Sequence, residues 1–202
     1  MGKYIFPVLI IWAVCAVPVC GAGFFEIAFA ADTSHTKDFE DGLADAPGFG
    51  VFFGYETELA GSGVLFDVEL GYEVSTHELK KPFDDPDYYY RNHRGIMGLR
   101  AKYGGLGWVE PYIGLGFIVY AFYDNSDKLA EPPLDFPNFE ITKNFSGLYS
   151  VVGIDFFFSR KGNYSLGIEF RTMDYSVKDT DDGSSESDIS VKRLAFKFSV
   201  LF

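Results

Sequence analysis

A strict two-residue alternation at the carboxyl end constrains the fold of this chain more than any other feature. From Leu194 to Phe202 every even-numbered position is apolar, and Ala195, Lys197 and Ser199 occupy three of the four positions between them. Residues two apart lie on the same face of a β-strand, so one face of this segment meets an apolar environment and the other a polar one. The chain stops on an aromatic residue in the phase of the apolar face. We therefore predict a final strand with one apolar face.

Seven further segments repeat this alternation. The eight segments are residues 25–30, 49–56, 64–75, 96–103, 109–120, 151–158, 165–171 and 194–202. Their lengths are of the order of the 10 residues that a tilted strand needs to cross a bilayer. An even number of strands brings both termini to one side of the membrane, the periplasm. We predict an all-β fold: a closed, eight-stranded, antiparallel up-and-down transmembrane β-barrel.

Short and long connectors alternate between these segments. Residues 59–62, 104–107 and 159–163 form short connectors that contain glycine and fit tight turns. The long connectors, 33–47, 76–89, 124–143 and 178–188, carry formal charges of −3, −2, −3 and −4, which together equal the net charge of −12. Short periplasmic turns and longer external loops are typical of such barrels. The sequence thus predicts acidic external loops.

Composition excludes several other classes of protein. A mean hydropathy of +0.04 argues against a bundle of membrane helices, which needs long apolar runs. The chain has no patch rich in Lys and Arg, which argues against a nucleic-acid partner. The two cysteines, Cys15 and Cys20, both lie near the amino terminus, so a processed chain would have neither a disulfide nor a cysteine-ligated metal.

The amino-terminal segment predicts a cleaved signal peptide. Lys3 precedes an apolar run of about 15 residues, which is short for a membrane span. Cleavage after Ala22 gives a signal peptide of residues 1–22 and a barrel domain of residues 23–202. Cleavage after Ala30 fits the A-x-A pattern better but leaves seven strands, so we prefer the first site. A lipoprotein signal ending at Cys20 and a retained helical anchor are further alternatives.

Charged residues recur on the second face of almost every segment. They are Glu26, Glu56, Asp67, Glu69, Glu73, Arg94, Arg100, Lys102, Glu110, Asp155, Glu169, Arg171, Arg193 and Lys197. In a soluble sandwich such a face meets water, whereas in a barrel it points into the lumen. An eight-stranded barrel is only wide enough for side chains to fill, so these charges must pair there. We predict a paired charge network that plugs the lumen.

Aromatic residues on the same face strengthen the prediction of a plug. Phe52, Tyr112, Tyr120 and Phe157 are in phase with the charged positions and would further obstruct a channel. A narrow, porin-like channel is the alternative. The fourth loop is rich in Asp and Glu but departs from the calcium-loop pattern at Gly183, so we predict no metal or other cofactor.

Two further stretches of sequence are informative: the motif Val-Glu-Pro-Tyr-Ile-Gly-Leu-Gly at residues 109–116 and the preceding segment, residues 95–103. Both resemble the bacterial outer-membrane β-barrel domain family, which includes small opacity-like and attachment-type surface proteins. The last strand is also similar to that of outer-membrane barrels. The resemblance implies an assembly signal for the barrel assembly machinery, made of Leu194, Phe196, Phe198, Val200 and Phe202. It implies little about activity, because members serve as structural barrels, adhesins or host-factor binders.

An enzyme that modifies lipid A is a further alternative. Such an enzyme needs a Ser, a His and an orienting acid near the membrane rim. Ser75, His77 and Glu73 share one face of a predicted strand end, although residues spaced by two on a strand do so by chance. We therefore predict no enzymatic activity. The expected partners are outer-membrane lipid and a host or matrix ligand at the loops, and the barrel is expected to be a monomer.

Overall fold

The computed structural model describes residues 21–36, 46–59, 61–78, 89–125, 139–140, 147–158, 163–179 and 186–202. Almost all of these residues belong to β-strands. No helix in these ranges is long and apolar enough to cross a membrane. The predicted signal peptide and most of the four long connectors lie outside the described residues.

Nine strands occur in this part of the chain. They are β1 (Gly21–Thr36), β2 (Ala46–Glu58), β3 (Val64–Glu78), β4 (Tyr89–Tyr103), β5 (Val109–Asn125), β6 (Phe139–Glu140), β7 (Gly147–Phe157), β8 (Tyr164–Asp179) and β9 (Glu186–Leu201). Eight of them are 11 to 17 residues long, and β6 has two residues that pair with the end of β8.

The eight long strands close into a barrel. Each pairs antiparallel with the long strands before and after it, and β9 pairs back with β1. When hydrogen-bonded partners are followed once around the barrel from Gly23, the path returns to β1 at Thr33, ten residues further along. A shear of this size in eight strands tilts them by about 40° to the barrel axis. The predicted eight-stranded up-and-down barrel is confirmed.

The seam between β1 and β9 is paired as far as the last residue. Gly23 and Phe202 each donate a backbone N–H to the carbonyl of the other, both at 2.9 Å. A Cβ added at Gly23 would come within 2.7 Å of the Phe202 ring. The terminal aromatic side chain therefore completes the seam and covers a position that glycine leaves open.

The strands extend further than the alternation predicted. The short connectors lie at one end of the barrel, here called the turn end, and the strands run beyond the expected boundaries at the opposite end, the loop end. There β1 continues to Thr36 and β3 to Glu78, inside the predicted loops 33–47 and 76–89. Backbone pairing continues where side chains become polar, so the wall of the barrel stands higher than its apolar part.

Side chains alternate between two surfaces. Large apolar residues are exposed on the outward face of every long strand; one from each strand in turn is Phe29, Phe53, Leu70, Leu99, Ile113, Val152, Ile168 and Phe196. A continuous apolar surface of this kind fits the hydrocarbon of a bilayer. Of the predicted inward aromatics, Phe52, Tyr112 and Phe157 are buried, while the Tyr120 side chain lies outside the described part of the structure.

Inward aromatic rings lie over glycines of other strands, in two cases of the neighbouring strand and in one of the next strand but one. An added Cβ would come within 2.3 Å of Phe52 at Gly71 and within 2.3 Å of Tyr112 at Gly153. At Gly98 it would come within 1.7 Å of the Tyr149 hydroxyl oxygen. Glycine at these positions lets a flat ring approach the backbone, which is how a narrow barrel accommodates large side chains.

Candidate functional site in the barrel lumen

The charged face lines the lumen from one end of the barrel to the other. Twelve of the fourteen predicted lumen residues are buried, and Glu56 and Glu110, near the turn end, are partly buried. Charges removed from water need partners, because an isolated buried ion is strongly unfavourable. The structure places these side chains so that acids and bases from different strands meet.

Arg100 on β4 stands at the centre of the lumen and is surrounded by carboxylates. Its guanidinium lies 3.2 Å from Glu26 on β1, 3.3 Å from Asp67 and 3.4 Å from Glu69 on β3, and 3.9 Å from Glu169 on β8. The planar, five-donor guanidinium suits several carboxylates at once. Arg100 therefore ties β4 to the adjacent β3 and to β1 and β8, which are distant in sequence.

Lys102 organises the turn end of the lumen. Its ammonium lies 2.8 Å from Asp67, 3.1 Å from Glu56 and 3.7 Å from Asp155. These carboxylates belong to β3, β2 and β7, so a single lysine on β4 reaches both directions around the barrel. Glu110, the remaining predicted acid, lies at the start of β5 in the same part of the lumen.

Lys197 on β9 forms the second cationic position in this half. It lies 3.1 Å from Glu26, 3.3 Å from Asp155 and 3.7 Å from Glu169. The Ser199 hydroxyl donates to the same Glu26 carboxylate at 3.1 Å. Glu26 is thus paired or hydrogen-bonded with side chains of two other strands, Arg100 of β4 and Lys197 and Ser199 of β9, which compensates its burial.

Arg171 on β8 connects the centre of the lumen with its loop-end half. Its guanidinium lies 2.8 Å from Glu169, 3.2 Å from Glu73 and 3.5 Å from Glu69. The Tyr149 hydroxyl donates to Glu69 at 2.6 Å, and its ring lies 4.6 Å from the Arg171 guanidinium carbon. Charge pairing, hydrogen bonding and cation–π contact therefore act together here.

Asp32 completes the network at the loop end. It lies 2.5 Å from Arg94 and 3.3 Å from Arg193, and both arginines also approach Glu73, at 3.3 and 3.6 Å. All four side chains are almost fully buried. The pairs described so far share members, so one connected ion-pair network runs from Asp32 to Lys102.

Asp32 was missed by the sequence prediction, which ended the first strand at Ala30. The signal for it was present, because Glu26, Ala28, Ala30 and Asp32 continue one phase of the alternation. Three buried aromatic side chains, Phe24, Tyr149 and Tyr175, were also not predicted to face inward. Tyr175 accepts a hydrogen bond from the Asn92 amide at 2.5 Å, close to the loop end.

Apolar side chains also fill the loop-end half of the lumen. Buried apolar side chains cluster on β5, β8 and β9; they are Ile118, Met173, Tyr175, Ile189 and Val191. Two of these strands also contribute cations to the network, Arg171 on β8 and Arg193 on β9. This half of the lumen is therefore filled both by apolar packing and by ion pairs.

The residues considered for catalysis, Glu73, Ser75 and His77, lie on β3 near the loop end. Ser75 and Glu73 are buried in the lumen, and Glu73 is engaged by three arginines. The His77 side chain lies outside the described residues. A further histidine, His93, is on β4, and its Nδ1 is hydrogen-bonded to the Tyr72 hydroxyl. Within the described residues, no three His, Cys, Asp or Glu side chains are grouped to hold a metal ion.

Solved structures with this architecture are small outer-membrane barrels. Neisserial surface protein A matches with a TM-score of 0.58 and 12% identity, covering 89% of this chain and 97% of that one. OprG from Pseudomonas aeruginosa matches with a TM-score of 0.56 and 14% identity, covering 91% of this chain and 97% of that one. Ail of Yersinia pestis was solved with the heparin analogue sucrose octasulfate. It matches with a TM-score of 0.50 and 14% identity, covering 89% of this chain and 98% of that one. At these identities the similarity shows the fold alone.

The sequence itself identifies the family. A search of curated proteins found no match. The family described as outer membrane protein beta-barrel domain matches residues 17–202, which includes every strand of the barrel. This chain belongs to the outer membrane protein beta-barrel domain family.

Proposed function

We propose that this outer-membrane barrel serves a structural or surface-interaction role. Its lumen is plugged by side chains, and its external loops are acidic. The observation that supports this most is the connected, buried ion-pair network from Asp32 to Lys102. Its eight carboxylates and six cations are contributed by seven strands, and inward aromatic rings lie between them. A solute crossing the lumen would have to break several buried ion pairs, each of which is costly to separate.

Planar-bilayer recording tests the plug against the channel alternative. We expect no steady conductance steps from purified protein whose folding is verified by heat-modifiable migration on a gel. Steady, large steps from that same folded sample would contradict the plug. A sample that migrates as unfolded protein is excluded from the comparison, so a silent recording reports on the closed barrel.

We further propose that the loops carry the binding function. Strands are occupied by lipid on one face and by the crowded lumen on the other, which leaves the loops for ligand contact. Ail was solved with a polyanionic heparin analogue. The loops of this chain total −12 in formal charge, so we expect them to favour basic partners and to bind less as salt increases.

Replacement of loop charges tests this proposal. The acids of the fourth loop, changed to Ser, should reduce binding to host cells or matrix proteins. The matched control changes Ser184, Ser185 and Ser187 of the same loop to Ala, which alters side chains without altering charge. If binding is unchanged when the acids of all four loops are replaced in turn, a purely structural role is favoured.

The last strand is proposed as the assembly signal, as the resemblance implied. Leu194, Phe196 and Phe198 are exposed on the outward face of β9, as is Phe202 directly after it. Deletion of Phe202 should strongly reduce the amount of barrel in the outer membrane of cells, whereas the purified chain should still refold in detergent. Normal amounts of the truncated protein in the membrane would contradict the signal.

The orientation and the mature terminus are proposed from the strand count. Cleavage after Ala22 preserves most of β1, including Phe24 and Glu26, whereas cleavage after Ala30 would remove both. We place both termini in the periplasm and the loop end outside. Mass measurement of the mature protein and mapped proteolysis of intact cells test these two assignments separately.

A further inference from the structure

The outward apolar surface is shorter on one side of the barrel. Counted from the turn end, four apolar outward residues precede Ser150 on β7, and four precede Thr172 on β8. In contrast, five precede Lys192 on β9 and six precede Thr76 on β3. On β7 and β8 the first polar outward side chain therefore lies two residues closer to the turn end than on β9, and four residues closer than on β3.

These polar residues form one continuous row. Ser150, Thr172, Lys192 and Thr33 are successive cross-strand partners on β7, β8, β9 and β1, and we call them the donor row. The Ser150 and Thr172 hydroxyls are hydrogen-bonded to each other at 2.7 Å. All four side chains carry hydrogen-bond donors. Three spacings between strands give the row a length of about 14 Å.

Lys192 is distinct from the other cations of the barrel. Of the lysines and arginines whose side chains the structure describes, the other six point into the lumen and pair with acids. Lys192 is exposed on the outward face, and no ion pair is formed by it within the described residues. Asp174, also exposed, lies one row closer to the loop end, and no ion pair joins it to Lys192 in the described part of the chain.

The row directly below completes the shape of a lipid site. Val152, Phe170, Leu194 and Ala31 are successive partners and are exposed, one step closer to the turn end. A ligand that fits both rows has an anionic, hydroxyl-bearing head and hydrocarbon chains. A single phosphodiester head would span only part of a 14 Å row, whereas a phosphorylated disaccharide head would span most of it.

We propose that the donor row docks the head of a phosphorylated glycolipid of the outer leaflet, with Lys192 on a phosphate and the hydroxyls on the sugar. The leaflet follows from the proposed orientation of the loop end, but the recognition chemistry does not depend on it. Lysine is a common phosphate ligand. The acyl chains lie against the apolar row below.

Native mass spectrometry of the folded, full-length mature barrel tests the proposal, with diphosphorylated lipid A as the probe. We expect Lys192→Gln to weaken retention about tenfold, as loss of one charge-assisted contact does, and Lys192→Arg to preserve it. The double variant Ser150→Ala/Thr172→Val should weaken it several-fold. Thr76→Val, the matched control on the opposite side of the barrel, should leave it unchanged.

Two results would overturn the proposal: equal retention by Lys192→Gln, or equal retention of dephosphorylated lipid A by the unaltered protein. Tighter binding of phosphatidylglycerol than of lipid A would also overturn it, because the row would then serve a phospholipid. Heat-modifiable migration verifies that each variant is folded. Since detergent-solubilised protein has neither orientation nor a loop partner, these outcomes are independent of the proposed loop function.

Discussion

The two faces of each strand obey different rules. On the lumen face, a charged residue has particular partners on other strands; Arg100 meets acids on β1, β3 and β8. On the outward face, residues such as Ile113 and Phe196 are more than half exposed and need only be apolar. The same backbone therefore carries one surface that depends on exact neighbours and one that depends on solvent. Equivalent substitutions on the two faces should have unequal effects.

The largest difference is expected for removal of a cation. Arg100→Met leaves four buried carboxylates without their shared partner, and removing one member of a buried pair costs about 3–5 kcal/mol. Lys192→Met on the outward face should change the free energy of unfolding by less than about 1 kcal/mol. Urea unfolding in detergent, followed by gel migration, measures both. Similar losses in the two variants would remove the distinction between the faces.

A small steric change should come next. Gly98→Ala places a Cβ where the Tyr149 hydroxyl lies, which forces Tyr149 away from Glu69. Overpacking of this kind should cost about 3 kcal/mol. The control is Ala101→Val on the outward face of the same strand, with an expected change within about 0.5 kcal/mol. If Gly98→Ala unfolds at the same urea concentration as the control, the position of the Tyr149 ring does not require glycine at residue 98.

Exchange of Tyr for Phe compares the lumen face with the outward face, because it removes one hydroxyl and leaves the ring unchanged. Tyr149→Phe deletes the hydrogen bond to Glu69 and should cost about 1.5 kcal/mol, because the acceptor is charged. Tyr164→Phe deletes an exposed hydroxyl on the outward face and should be nearly neutral. The double variant Tyr149→Phe/Gly98→Ala sharpens the test. Its loss of unfolding free energy should be smaller than the sum of the losses in the two single variants.

The smallest effect is expected for an apolar exchange in the lipid-facing row. Phe196→Leu retains an apolar side chain at a position that is 61% exposed, so unfolding should shift by less than about 0.5 kcal/mol. The corresponding change in the lumen, Phe52→Leu, opens a gap beside Gly71 and should cost more. An outward variant as damaging as the inward one would show that this row also requires specific packing.

Alternation predicted most of the fold because its physical cause is local. A strand places consecutive side chains on opposite faces, so phase alone assigned Glu26, Arg100 and Lys197 to the polar face before any partner was known. The same rule missed Asp32, since the apolar positions that mark a strand become polar above the membrane while backbone pairing continues. It also failed to anticipate the shift in the β4–β5 register between Gly95 and Ile96, where the partner of β4 skips Val119.

Sequence by itself determined the number of strands, the two faces and the family of this protein, because periodicity and the 109–116 motif are properties of consecutive residues. Only the tertiary structure decided which acid meets which base, which glycine lies beneath which ring, and that Ser150, Thr172 and Lys192 stand in one row. Those relations depend on the register between strands. A shear of ten residues brings together positions as distant as Glu26 and Lys197, and no local pattern encodes that distance.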